Sequence, residues 1–216
     1  CGNLIGDGTF TSDGTPVLSV WLPNEKRIEH DQPAQILQNW AKKSLSHRSD
    51  FRGWNLVHVG PTHTEYRMKT SEFREVAQQF NIARGTKTVF EHGSSEYTRG
   101  LLQGLFDTDG TVQIASKQRY SIRLTQSNLA RLQAVQRLLL CFGIVSKIHL
   151  REKSGNRMMP NGKGGSQSYF CQTRYEVIIG GSANIRRFHD YVGFQNADKV
   201  QKLQTVLDSY VNEPRA

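Results

Sequence analysis

With 216 residues, the chain is long enough for one large domain or two of about 100 residues. Apolar residues make up 37%, and 28 Lys and Arg against 19 Asp and Glu leave a net charge of +9, so much of the surface faces water or a polyanion. No apolar run reaches the ~18–20 residues that cross a bilayer, and no signal-peptide pattern opens the chain; both argue against a membrane or secreted protein and lead us to expect an intracellular one, in cytoplasm, nucleoid or organelle.

In chain order, the first element is a short helical stretch running into Leu4-Ile5-Gly6-Asp7-Gly8-Thr9-Phe10, with only six residues before Asp7. A strand follows over 17–22, then Asn24, then a helix over 32–44 with Pro33 at an early position where proline is tolerated. Tyr66-Arg67-Met68-Lys69 alternates apolar and polar as a half-buried strand does, with Arg67 and Lys69 outward. Phe80-Asn81-Ile82 leads on to Lys87. The stretch 97–106 is helical, with Leu101, Leu102, Leu105 and Phe106 on one stripe. Strands over 112–115 and 120–125 are joined by the polar turn Ser116-Lys117-Gln118. The helix 128–142 sets Leu129, Leu132, Val135, Leu138, Leu139 and Phe142 on one face, and Gly143 ends it. Cys141 lies in its apolar run and is expected in the core. Cys1, Cys141 and Cys171 are too few and too far apart for a disulfide framework or a CxxC zinc site, which suits a reducing compartment. Strands over 144–150 and 174–179 flank an insert, 154–168, rich in Gly, Asn, Ser and Lys and expected to be a flexible loop. Helices over 182–191 and 198–211 follow.

The chain carries one plan twice. Asp7-Gly8-Thr9-Phe10 and Asp109-Gly110-Thr111-Val112 match at an offset of 102 residues. In that register 17–22 aligns with 119–124, Trp21 with Arg123, and Asn24 with Gln126. Lys87 and Lys199 each stand five residues after an apolar residue, Ile82 and Phe194. Gly2 and Gly6, like Gly100 and Gly104, are spaced four apart, which leaves a strip without side chains along a helix and lets two helices approach closely.

The string Leu102-Gln103-Gly104-Leu105-Phe106-Asp107-Thr108-Asp109-Gly110 closely resembles the LAGLIDADG motif, and Cys1-Gly2-Asn3-Leu4-Ile5-Gly6-Asp7-Gly8 resembles its Gly-Asp-Gly variant. The block 129–144 is similar to the helix after the second motif in intein endonucleases. The chain thus resembles a two-motif LAGLIDADG homing endonuclease over nearly its whole length. The resemblance implies an α+β fold: a pseudo-two-fold pair of αββαββα lobes, 1–96 and 97–216, with saddle-shaped antiparallel sheets and the motif helices at the interface. It also implies metal-dependent cutting of double-stranded DNA by a monomer. The alternative is a catalytically idle DNA- or RNA-binding relative of the maturase or transcription-factor type; the presence of both aspartates argues against it. The stretch 210–216 lacks a His-Asn-nucleophile ending, so splicing is not expected.

Two carboxylates held side by side repel unless a proton or a cation neutralises them, and hard divalent cations favour oxygen ligands. We therefore expect Mg2+ (or Mn2+ or Ca2+) at Asp7 and Asp109, with Gly6 and Thr108 beside it. Lys87 and Lys199 are candidates for moving the water's proton and stabilising developing charge. The resemblance gives Gln126, and Asn24 as its counterpart, a role in positioning water; it leaves Asp107, which aligns with Ile5, to the lobe interface or a helix end. Alternation along the strands assigns Arg67, Lys69, Gln113, Lys117, Arg119, Arg123, Lys147, His149, Arg151, Lys153 and Arg174 to a face that reads DNA bases in the major groove. Because the halves differ in sequence, the target is expected to be asymmetric.

Overall fold

The computed structural model describes residues 1–69, 71–115, 119–161 and 164–211. In the first half, α1 (Gly2–Gly6) leads into β1 (Thr9–Phe10) and β2 (Pro16–Pro23). A single 3-10 turn (Ile28–His30) precedes α2 (Gln32–Ser44), followed by β3 (Asn55–Val59), β4 (His63–Lys69) and α3 (Glu72–Gln79). A small hairpin, β5 (Ile82–Ala83) and β6 (Thr86–Lys87), ends this half. The second half runs α4 (Ser95–Asp109), β7 (Gly110–Ala115), β8 (Arg119–Gln126), α5 (Leu129–Cys141) and β9 (Lys147–Glu152). It continues with β10 (Gly155–Pro160), β11 (Ser166–Cys171), β12 (Arg174–Gly180), α6 (Ser182–Tyr191) and α7 (Ala197–Val211). The two main sheets are antiparallel and share one strand order, β1-β2-β4-β3 and β7-β8-β12-β9, so the repeat read from the letters is a repeat of topology.

Local chemistry explains the helix ends. The Asp31 carboxylate accepts the Ala34 N–H at the start of α2, and Pro33 sits in its first turn. The Ser94 hydroxyl and the Asn128 side chain do the same for α4 and α5. Gly143 takes φ +68° just beyond α5, and the Ile144 N–H reaches back to the Leu139 carbonyl.

One apolar cluster runs through both halves. Leu4 and Ile5 of α1 join Leu101, Leu102, Leu105 and Phe106 of α4, which in turn meet Ile122, Leu124, Val177 and Ile179 of the second sheet. Cys141 departs from expectation and is exposed. A helix turns about 100° per residue, so after Leu138 and Leu139 the next inward position is Phe142, and Cys141 points out beside Leu140. The insert is also not a loop: β10 and β11 pair over six residues as a separate ribbon, with Met158 and Phe170 exposed on it.

The seam between the halves is α1 against α4. A Cβ on Gly2 would lie 2.2 Å from the Leu101 carbonyl oxygen, and one on Gly104 would lie 2.8 Å from the Asn3 backbone nitrogen. A Cβ on Gly6 would strike the Thr108 hydroxyl at 2.0 Å. Gly100 makes no such contact: open space surrounds its Cβ position.

The contrast generates a prediction. Gly104→Ala loses about 1–3 kcal/mol or more, because backbone has to move, whereas Gly100→Ala gains up to about 1 kcal/mol from helix propensity alone. Urea melts of the two variants check this; equal effects would show that the seam is not glycine-limited.

Candidate active site

Both motif helices end at one place. Asp7 caps α1, and Asp109 is the last residue of α4. A helix C-terminus already carries unsatisfied carbonyls and a partial negative charge, so two such ends with two carboxylates form a strongly negative spot. Two lysines answer it. The Lys87 ammonium, from β6, donates to the carbonyls of Ile5 (3.1 Å), Gly6 (3.2 Å) and Gly8 (2.6 Å). The Lys199 ammonium, from α7, donates to those of Phe106 (3.0 Å) and Asp107 (2.6 Å). The equivalence expected for these lysines is therefore seen in space: each caps the C-terminus of its own motif helix.

Asp107 holds the second of these arms in place. Its carboxylate accepts the N–H groups of Gln195 (2.9 Å) and Asn196 (3.1 Å), while the Asn196 side chain accepts the Lys199 N–H at 3.1 Å. It is a helix-end residue that anchors the start of α7.

On one side of the seam an open cleft of about 620 Å³ is lined by Gly6, Lys87, Asp109, Gln126, Arg131 and Arg174 among others. Here the Gln126 amide donates to the Asp109 carboxylate at 2.5 Å. Arg131 of α5 donates to the Gln126 carbonyl oxygen at 2.7 Å and to the Lys87 carbonyl at 3.0 Å. Arg131 was not singled out from the sequence. Its only signal was an arginine between Leu129 and Leu132, one turn into a helix whose apolar face turns inward.

Asn24 is not brought to the site. Its amide donates to the Gly60 carbonyl and accepts from the Thr64 hydroxyl, at the far end of the β2–β4 pair. The constant offset failed at the first hairpin. Thr9 faces Val17, eight residues on, whereas Thr111 faces Arg123, twelve residues on. Counting from these pairs, the counterpart of Gln126 is Val20, which packs in a small apolar cluster with Leu22 and Ile28. The counterpart of Arg123 is Val17, not Trp21. The two aspartates thus have unlike surroundings.

Burial raises both carboxyls above the usual range; the Asp7 charge raises Asp109 further, and the two lysines partly offset the rise. Burial lowers Lys87 and Lys199 in turn, and the aspartates oppose that shift. Among the described residues no three His, Cys, Asp or Glu side chains form a cage for a metal. Two carboxylates with backbone carbonyls alongside instead fit a hard cation that keeps waters and takes further oxygens from a substrate. The Gly6 carbonyl lies against this spot under Lys87, but the Thr108 hydroxyl bonds back to the carbonyls of Gly104 and Leu105.

The outer sheet faces carry the expected basic residues. Gln113, Arg119, Arg123, Lys147 and His149 share the side away from the core, since their cross-strand partners do. Arg67 and Lys69 stand likewise on β4. Arg151 falls at a bulge and turns to this face, and Arg174 lies 3.9 Å from Glu152. Lys153 is exposed beyond β9, and Lys117 lies outside the described residues.

Residues 96–193 match the family model of the LAGLIDADG-like domain. The second half is a LAGLIDADG-like lobe. Homing endonuclease I-DmoI, solved in complex with DNA and Ca, has the same fold across both lobes, with a TM-score of 0.59 over 94% of each chain at 17% identity. Two curated relatives are similar in sequence. The ribonucleoside-diphosphate reductase NrdEB subunit alpha of Bacillus subtilis (strain 168) is 27% identical over 82% of this chain and 17% of its own length. The glutamine–fructose-6-phosphate aminotransferase of Methanocaldococcus jannaschii is 25% identical over 96% of this chain and 17% of its own. The chain therefore spans about a sixth of the length of these relatives.

Because Asp7 and Asp109 bind protons more readily folded than unfolded, the metal-free carboxylate pair gains stability as pH falls from neutral toward the ordinary value near 3.8, and loses it as pH rises. Asp109→Asn removes part of that penalty while keeping an acceptor for Gln126. Calorimetry in chelator is expected to show its Tm above wild type at neutral pH, with the difference closing as pH falls toward the ordinary value near 3.8. A lower Tm at neutral pH would show that the carboxylate is not strained.

Proposed function

We propose that the chain is a site-specific, divalent-metal-dependent endonuclease of double-stranded DNA, of the homing type. One observation carries this reading: two LAGLIDADG helices deliver an aspartate and a lysine-capped C-terminus each to one point between two basic sheet faces. I-DmoI, with the same fold, is seen with DNA and Ca, which supports a duplex substrate and a divalent ion. Magnesium is the ion we expect, with manganese or calcium able to take its place. The lobes, 1–96 and 97–216, together supply both aspartates, so a monomer is sufficient and the target is asymmetric. The two curated relatives have unrelated names yet share this stretch, as a mobile segment inserted in different hosts does. This favours an intein-type origin and an intracellular place of work.

Asp7 and Asp109 would hold the metal, which when bound supplies Lewis-acid polarisation of the phosphodiester and an activated water. The remaining chemistry belongs to the chain. Gln126 fixes the Asp109 carboxylate and faces the open cleft, where it can orient water. Arg131 fixes Gln126. Lys87 spends its three N–H bonds on carbonyls, a geometry that suits the ammonium rather than the free amine. Its role, with Lys199, is to keep the site positive enough for phosphate to enter beside two carboxylates.

A randomised duplex library incubated with magnesium tests the reading. Wild type is expected to cut both strands at one long asymmetric site, and Asp7→Asn or Asp109→Asn to cut about 10²–10³-fold more slowly or not at all. Enriched binding without cutting by any version would mean a binding module instead. On the same target, Arg131→Met lowers the cutting rate by about 10–100-fold with little change in DNA affinity, as losing the support of a ligand does. An unchanged rate would remove Arg131 from the site.

A further inference from the structure

Among the described residues, two charged side chains are buried, Glu65 at 4% and Glu176 at 5% exposure. They lie on equivalent strands but two residues apart in register, since the position matching Glu176 is Arg67. Each lies on the inner strand that follows the outer hairpin in its sheet order, β4 in one lobe and β12 in the other. Each also faces away from the core. Glu65 stands across from Trp21 and His58, and Glu176 across from Thr125 and His149, while the core residues Met68 and Val177 alternate with them.

Arginines cover both. Arg67 donates to Glu65 through Nε (2.6 Å) and Nη2 (3.2 Å). Glu176 accepts from Arg123 Nη1 (3.3 Å), Arg151 Nη1 (2.9 Å) and the Thr125 hydroxyl (3.2 Å). Arg123 Nε is held by the Ser121 hydroxyl at 2.9 Å, and Arg151 Nη1 also meets Thr125 at 2.8 Å. One edge of each guanidinium is thus pinned inward, while the three side chains remain 33–48% exposed.

Stability does not account for this arrangement. A buried ion pair is often no better than apolar residues of the same size, and a negative charge under a face meant for a polyanion weakens binding. Rigid arginines are what it does provide. A guanidinium read against the O6 and N7 of guanine discriminates only if its fork is aimed, and arginine is otherwise a flexible side chain.

We propose that Glu65 and Glu176 are specificity-determining positioning residues, which fix Arg67 in one lobe and Arg123 and Arg151 in the other for base readout, at a loss of affinity for DNA in general. This rests on the reading of the chain as a DNA endonuclease. The lobes are unequal in this respect: Glu176 aims two arginines from two strands, and Glu65 aims one, next to Trp21.

The test compares the full chain with Glu176→Gln and Glu65→Gln in binding titrations without divalent metal. The probes are the selected target, its single-base variants and a random duplex. For Glu176→Gln, the random duplex is bound severalfold more tightly and with a steeper salt dependence, because a negative charge has left the face. Discrimination between target and variants falls about 10-fold under the second lobe and is unchanged under the first. Glu65→Gln gives the mirror result at fewer positions. Arg151→Lys, which keeps the charge and loses the fork, supplies the same loss of discrimination if a glutamate variant does not fold. Equal weakening on every duplex, or an unchanged base profile in a selective protein, overturns the proposal alone. A wild type with no sequence preference at all overturns the endonuclease reading together with it.

Discussion

The close approach of α1 and α4 is the constraint on which the rest of the molecule depends. Gly2, Gly6 and Gly104 allow backbone to meet backbone, and this brings two helix C-termini, with their aspartates, to one point. Electrostatically that is an unfavourable arrangement, as the raised carboxyls show. It persists because a glycine seam, two capping lysines and an anchor at Asp107 over-determine it. The chain keeps a negative spot whose charge complements that of a divalent cation, with two lysines beside it whose charge complements that of a phosphate.

The two halves of the site have diverged around a shared frame. Asp109 has an amide partner and, behind it, an arginine from α5. Asp7 faces the other side of the seam, in a cleft with Ser19, Trp21, Asp107 and Thr108, and the strand position equivalent to Gln126 is an apolar valine. The hairpin after α1 is shorter than the one after α4, so the residue that reaches back to the aspartate differs in kind as well as in number. The outer faces diverge in the same sense, with arginines concentrated on the second sheet and an exposed tryptophan on the first.

Much of this was legible in the letters. The helices α4 and α5, the strand alternation and the pairing of Lys87 with Lys199 all rest on short-range periodicity or on spacing from a fixed residue, and these survive folding. What failed rested on assumptions about length. A constant offset placed Asn24 opposite Gln126, but a change in hairpin length slides a strand by whole residues and changes its partners. Four-residue spacing put Gly100 in the seam, but spacing along one helix does not say which of its turns meets a neighbour. Gly- and Ser-rich composition suggested a loop where a ribbon forms, because cross-strand pairing leaves little trace in a single strand's letters. Arg131 was missed because its role is set by what α5 packs against, not by its own neighbours in sequence.

The seam also orders events in time. Gly2 and Gly104 are separated by 102 residues, and Lys199 lies nearly a further hundred along the chain. Each sheet is built from contacts within its own half, whereas the α1–α4 contact closes a loop that spans the whole first half and must await α4. The half that emerges first from the ribosome carries one aspartate and no partner for it, and its part of the shared core is incomplete. Until α4 docks and α7 brings its lysine into place, the two carboxylates and their capping lysines stay apart. The charge pattern of the site therefore exists only once both halves have been made and joined.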